Sequence, residues 1–247
     1  MRTSLVSLAK KMKKHLYFSC CAAIVFTFSS CSTKTKEQTE VKEVQKSAVE
    51  LFTDKVAEAH GFKQWSEVEE ISFSFNVSRA NGNTFSRLWM WQPKSNTVGS
   101  IQDKDTIWYK RNQALDSLEN RLNAGFTNDK FWLLTPFNLI WDRGNYRATL
   151  SENSSSPVEN KSYTKLTIVY GQQGGYTPGD AYDFYIDQDY IVREWTFRRA
   201  NQAEPNISSA CKDYIEIGGL RLAQNYARAN NERALFFSDL KVETSRK

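Results

Sequence analysis

His60 is one of two histidines in 247 residues, and the other, His15, lies in a leader-like stretch, so His60 alone is left in the body for proton transfer or metal ligation. One imidazole does not build a multi-histidine metal site, and the chain has no Cys-x-x-Cys pair for zinc or thiol exchange. His60 stands just before Gly61 at the end of an amphipathic stretch. Its expected role is a C-terminal helix residue at the negative end of the dipole. Asp187-Gln188-Asp189 has the alternate acids of a calcium loop, but Tyr190 follows, and the turn glycine and distal glutamate are missing. A tight hairpin turn accounts for it better.

Two further patterns are weaker still. Glu69-Glu70, or Asp183 with Asp187, supply the carboxylates of a glycosidase. That chemistry needs two acids converging on one sugar at about 5 to 9.5 Å, and surface acids are the expectation. Gly171-Gln172-Gln173-Gly174-Gly175 lacks the Lys-Ser/Thr of a phosphate loop and precedes a strand instead of a helix. The expectation is a protein without catalysis, metal or cofactor.

Aromatic residues are the richer signal: 15 Phe, 11 Tyr and 7 Trp. Trp89 and Trp91 lie two apart on one strand pattern, so their side chains share a face. With Trp108, Phe131, Trp132 and Leu134 they are candidates to line an apolar ligand cavity, or else to fill the core beneath covering helices.

The elements that must position these residues follow from periodicity. Val44 to Ala59 repeats apolar residues at helical spacing and stops at Gly61. Ile71 to Val77 alternates, Asn81-Gly82-Asn83 turns, Thr84 to Gln92 returns, and shorter strands follow through Val98 and Ile101 and over Asp105 to Lys110. Leu115, Leu118 and Leu122 begin a helical region running to Trp141, which Pro136 bends or divides. Seven strand patterns then follow: Tyr146–Leu150, Tyr163–Tyr170, Ala181–Ile186, Tyr190–Arg198, Ser209–Ile217, Leu220–Arg228 and Ala234–Val242. Ser151 to Asn160 reads as an exposed loop. Short links favour an antiparallel meander, and so many strands must curl. The fold class is therefore α+β, mainly antiparallel β: a strongly curved open barrel with helices over its concave face.

The N-terminal stretch gives an address. Lys10, Lys11, Lys13 and Lys14 precede Leu16 to Phe28, a run shorter than the about 20 apolar residues a membrane span needs. Met12 makes a more usual signal start than Met1. Phe28-Ser29-Ser30-Cys31 resembles the lipobox of bacterial lipoproteins, with Phe28 where an aliphatic residue is usual. That resemblance implies cleavage before Cys31 and its lipidation by acyl chains of the palmitate type, which together anchor stably. The expected organisation is a signal peptide over residues 1–30, a lipidated cysteine and flexible tether over 31–43, and one domain over 44–247. No acidic cluster follows Cys31. In Bacteroidota-type lipoproteins such a cluster accompanies export to the outer face, so a domain on the outer membrane facing the periplasm is expected.

The net charge of +5 belongs to the leader: residues 1–30 hold Arg2, four lysines and no acid, and subtracting these five from 33 basic residues leaves 28 against 28 acidic ones. A neutral mature domain lacks the basic surplus that nucleic-acid binding needs. Cys211 is then the one free thiol of the body, which excludes an internal disulfide.

Ala59-His60-Gly61 with Trp65, the block Phe131-Trp132-Leu133-Leu134-Thr135-Pro136-Phe137, and Tyr176-Thr177-Pro178-Gly179-Asp180 with Tyr185-Ile186-Asp187 resemble Bacteroidota secreted proteins of the LolA/LolB-like superfamily. The order of helix, four strands, helical insert and long strand run is similar to that open barrel. The resemblance implies an envelope lipoprotein that binds an acyl chain or the lipid of another lipoprotein beneath a helical lid. A structural or protein-interaction module of the envelope is the alternative, and a glycan or lipid hydrolase a weaker one. The sequence carries no signature of oligomeric state.

Overall fold

The computed structural model describes residues 46–79, 81–102, 105–229 and 233–245. The signal segment, Cys31 and the tether lie outside the described residues.

Helix α1, Ala48–Ala59, starts later than its apolar repeat suggests because Ser47 caps it. The Ser47 hydroxyl accepts from the Glu50 N–H at 3.2 Å, and Glu50 Oε2 accepts from the Ser47 N–H at 2.7 Å. This reciprocal box satisfies two of the donors a helix start leaves open, and the bonds from Ser47 hold the Glu50 carboxyl below its ordinary pKa. A 3-10 turn, Phe62–Glu67, leads into the sheet.

The strands are β1 (Val68–Ser78), β2 (Thr84–Gln92), β3 (Thr97–Gln102), β4 (Asp105–Lys110), β5 (Tyr146–Ser155), β6 (Ser162–Tyr170), β7 (Ala181–Ile186), β8 (Val192–Arg198), β9 (Ile207–Ile217), β10 (Leu220–Ala227) and β11 (Arg233–Thr244). They form one antiparallel sheet of 11 strands in the order β4-β3-β2-β1-β11-β10-β9-β8-β7-β6-β5. The meander expected from the short links is present. A single long closure, β1 against β11, joins the two halves, and β4 and β5 are left as edges, so the barrel is open.

Two boundaries differ from expectation. Strand β5 continues to Ser155, through residues read as loop, because a bulge at Asn153 (φ 51°) lets Ser154 resume pairing with Tyr163. Strand β8 starts at Val192 because Tyr190 has φ 61° and belongs to the preceding turn. In that turn Asp187 Oδ1 accepts from the N–H groups of Asp189 and Ile191 at 3.0 and 2.9 Å, the tight hairpin turn expected there.

The helical insert is two helices, α2 (Ser117–Leu133) and α3 (Thr135–Trp141). Asp116 and Glu119 form a second capping box at the start of α2. The helices break at Leu134, where ψ is 26° and the chain enters Thr135-Pro136, whose proline carries no N–H and fits only the first turn of α3. One face of the sheet is covered by these helices. On it Ile71, Phe73 and Phe75 of β1 are buried, and Trp89 and Trp91 of β2 meet Phe126 of α2 edge-on at 5.6 and 5.5 Å.

His60 caps α1 in an unexpected way. It is 1 % exposed, and its Nδ1 lies 2.8 Å from the Val56 carbonyl, which can only accept, so Nδ1 carries the proton. Burial pushes its pKa down to about 4. The ring is therefore neutral near pH 7, and it serves as a hydrogen-bond cap and a packing surface for Tyr214, not as a cation on the helix dipole.

Candidate functional site

Helix α2 is fastened to the sheet by polar groups from several strands. Asp129 is fully buried, and Arg87 of β2 donates to it twice, Nε to Oδ2 at 2.8 Å and Nη2 to Oδ1 at 2.6 Å. Trp89 Nε1 adds a third bond to Oδ2 at 2.8 Å. Burial nevertheless raises the Asp129 pKa, with these donors opposing it. One turn further on, Tyr226 of β10 donates to the Trp132 carbonyl at 2.5 Å. Arg111, just past β4, donates to Asn123 and Thr127 at 2.7 and 3.1 Å. From the loop after β6, Tyr176 bonds Asn128 at 3.1 Å and stacks on Phe131 at 3.9 Å.

Helices α1 and α3 are fixed differently. Phe62, Trp65, Phe137 and Trp141 form an edge-to-face cluster, and Arg143 after α3 pairs with Asp54 of α1 at 2.5 Å. Lys130 of α2 projects into the rim of this cluster, its ammonium 4.7 Å from the Trp141 ring centre and 5.6 Å from that of Trp91. Asn138 accepts from it at 3.3 Å, and burial pulls its pKa down to about 8.

Two of the spaces that border α2 differ sharply in size. Under the α2–α3 junction, Leu133, Leu134, Phe137, Trp195, Leu222 and Tyr226 enclose a cavity in which a water centre has about 10 Å3. That is room for about one water and not for an acyl chain. Along the side of α2, Asn128 and Trp132 face Phe75 and Val77 of β1, Leu235 of β11 and Ile207 of β9 across an open groove with about 580 Å3 accessible to water. Its lining is mixed, with Asn128, Asn206, Ser208, Ser209 and Arg228 supplying polar groups among the apolar ones.

The six aromatic and aliphatic candidates therefore have different surroundings. Trp89, Trp91, Phe131 and Leu134 are packed in the core on the helix-covered face, and Leu134 also borders the small cavity. Trp132 borders the groove and meets Trp195 edge-on at 4.2 Å. Trp108 is set apart: it is 44 % exposed and pairs with Gly99 on the other face, while its neighbour Tyr109 points inward. Asp129 and Lys130 were missed from sequence, although two charges just before Phe131-Trp132-Leu133-Leu134 are the signal that the helix enters a covered site.

The groups suited to chemistry have structural partners. Glu69 pairs with Lys94 at 2.5 Å, and Glu70 accepts from Gln92 at 3.0 Å. Asp183 is held by Arg198 and Thr167, and Asp187 by Arg193. Cys211 and His60 both border the small cavity, but burial raises the thiol pKa and lowers that of the imidazole, which is the reverse of an activated pair. Among the described residues no group of three or more His, Cys, Asp or Glu is placed to hold a metal.

No protein-family profile matches the chain, and no curated protein matches it in sequence. Solved structures do match in shape. A LolA superfamily protein from Nitrosomonas europaea covers 80 % of this chain and 94 % of its own at 14 % identity, with a TM-score of 0.52. A DUF1329 family protein from Desulfovibrio piger (11 % identity, 82 % and 96 % covered, TM-score 0.47) is more distant. So is a chain described as an outer membrane lipoprotein-sorting protein domain from Vibrio parahaemolyticus (12 %, 79 % and 95 %, TM-score 0.41). The domain thus has a LolA-like fold: an open, curved antiparallel sheet with helices over one face.

Proposed function

We propose that this chain is a non-catalytic cell-envelope lipoprotein, anchored through Cys31 to the outer membrane on its periplasmic side, that binds an acyl chain or the lipid of another lipoprotein. The observation that carries the reading is the groove between Trp132 of α2 and the apolar residues Phe75, Val77 and Leu235, which runs along a helix fastened to the sheet by polar side chains. A groove that mixes apolar side chains with polar ones suits a ligand with one oily and one wet end. The LolA-like fold supports the reading. Entry beyond the groove requires α2 to lift, because the space beneath it admits about one water.

The test is native mass spectrometry of a soluble form beginning at Lys42, together with quenching of tryptophan by a brominated fatty acid. Retained or loaded lipid, with quenching lost in Trp132→Phe, supports the proposal. Failure to retain or load any lipid overturns it.

A second reading has one observation in its favour: the interior is filled by its own side chains, with Phe73, Trp89, Phe126, Phe131 and Leu134 each less than 2 % exposed. A domain of this kind presents surfaces instead of a cavity and acts as an envelope interaction module. Absence of lipid loading combined with a stable partner complex would favour it.

A further inference from the structure

The polar groups of the groove beside α2 are not equivalent. No aspartate or glutamate lines it, and Arg228 is its one formal charge. Asn128 is committed, since its Oδ1 accepts from Tyr176 and its Nδ2 donates to Asp129. Ser208 is paired with Thr196 of β8. Ser209 differs: it is 2 % exposed, and among the described residues its hydroxyl has no hydrogen-bond partner. A buried hydroxyl left unpaired costs free energy, and one on the wall of an open groove gains its partner from what enters.

Strand register brings this hydroxyl and the cation together. Strands β9 and β10 pair Cys211 with Tyr226 and Ala210 with Ala227, so the next step of the same register sets Ser209 opposite Arg228. Opposed residues share a face of the sheet with Cβ atoms about 4.5–5.5 Å apart, and both of these line the groove. A guanidinium carries five N–H donors, so an oxyanion can be added to its other bonds. Beyond this pair the wall turns apolar: Leu235 of β11 pairs with Val77 of β1, Phe75 shares the face of Val77, and Trp132 lies across from them. The space of about 580 Å3 is on the scale of one drug-sized ligand.

We infer that the occupant of the groove is a single-chain fatty carboxylate, its head bonded by Ser209 and Arg228 and its chain laid across β11 and β1 beside Trp132. This rests on the groove being the lipid site proposed above, and it narrows the ligand. A carboxylate accepts on two oxygens, one for the hydroxyl and one for the guanidinium, and bonds to an ionised acceptor are the strong ones. Its single charge matches the single cation of the wall, whereas a phosphate monoester carries about −1.5 to −2 at neutral pH. An acyl group held in an ester or amide, as in the lipid of a lipoprotein, has no anion for Arg228 to meet.

Photolabelling of the full chain in a non-ionic detergent tests the inference. The probes are a diazirine-bearing palmitic acid, its methyl ester, and the lysophosphatidic acid of the same chain, in alkaline buffer that keeps the acid ionised. Adducts are located by peptide mass spectrometry. The acid is expected to label Trp132, Ile207 or Leu235 about tenfold more than the ester does. Ser209→Ala and Arg228→Gln should each bring acid labelling down towards that of the ester and leave ester labelling unchanged, while Ser209→Thr keeps the hydroxyl and the preference. The comparison of acid with ester needs no variant, so misfolding of one does not remove the test. Equal labelling of the groove by acid and ester overturns the inference and leaves acyl binding standing. Stronger labelling by lysophosphatidic acid than by the acid overturns the choice of a carboxylate. Absence of groove labelling by all three overturns both the inference and the lipid site on which it rests.

Discussion

Arg87 on β2 grips the buried Asp129 of α2 through two parallel hydrogen bonds of 2.8 and 2.6 Å, and the residue two along, Trp89, closes on the same carboxylate. The clasp joins a helix to the sheet through charge, and Asn128 adds a bond to the same carboxylate at 3.0 Å. Such a pair contributes modestly as a pair, because desolvation offsets attraction, but breaking it strands one charge. Asp129→Ala is therefore expected to cost about 3–5 kcal/mol. The loss should appear first as hydrogen exchange in residues 117–133, with the central strands still protected. Arg87→Met combined with Asp129→Leu should recover only part of the stability, because the buried Trp89 N–H still loses its acceptor. Equal loss of protection across sheet and helix in Asp129→Ala would show that α2 does not open as a unit.

His60 predicts an acid dependence. Its folded pKa, about 4, lies below the ordinary 6.5, so between these values the unfolded chain holds a proton that the folded one does not. Stability then falls as pH drops from about 6.5 to about 4, by roughly 3 kcal/mol in all, and is fully present above that window. His60→Asn retains a side-chain donor for the Val56 carbonyl and removes the titration. Urea unfolding at several pH values should show the slope in the wild type and a flatter line in the variant.

Lys130 gives the opposite end of the scale. Its folded pKa of about 8 lies below the ordinary 10.5, so the charged form is disfavoured in the fold. Stability should rise as pH increases from about 8 towards 10.5, where the unfolded chain holds the extra proton. Lys130→Met fills the same space between Trp91 and Trp141 without a charge. It is expected to raise the melting temperature at pH 7 and to abolish the alkaline rise. A lower melting temperature in Lys130→Met would mean that the cation–π contacts outweigh desolvation.

These positions also mark how far sequence reading reaches. Strand alternation and turn residues located the sheet because period two is a local property: Ile71, Phe73 and Phe75 bury one face whatever lies above it. Pro136 announced the α2–α3 break for the same reason. Orientation in β4 was hidden, since Ile107-Trp108-Tyr109 is apolar throughout and offers no alternation to select a face. The tail of β5 was hidden because an edge strand exposed to water need not carry an apolar pattern. The Arg87–Asp129 clasp joins residues 42 apart, each of a type that normally faces solvent. Only the packed fold brings them together.

Two glycines with positive φ separate backbone strain from close approach. Gly82, in the β1–β2 turn, has φ 81°, and a Cβ there would meet nothing within 4 Å. Gly61, between α1 and the sheet, has φ 91°, and its Cβ would lie 2.1 Å from the Gly219 carbonyl oxygen. That oxygen belongs to the β9–β10 hairpin, and the next residues are tied to α1 by the Arg221 N–H bonding the His60 carbonyl at 2.9 Å. Gly82→Ala should therefore cost only the left-handed penalty, about 1–2 kcal/mol. Gly61→Ala adds a backbone collision that no rotamer relieves, so helix and hairpin must part. Its cost should exceed that of Gly82→Ala by at least about 2 kcal/mol in equilibrium unfolding. Equal costs would mean that the hairpin yields freely and that α1 is not docked against it.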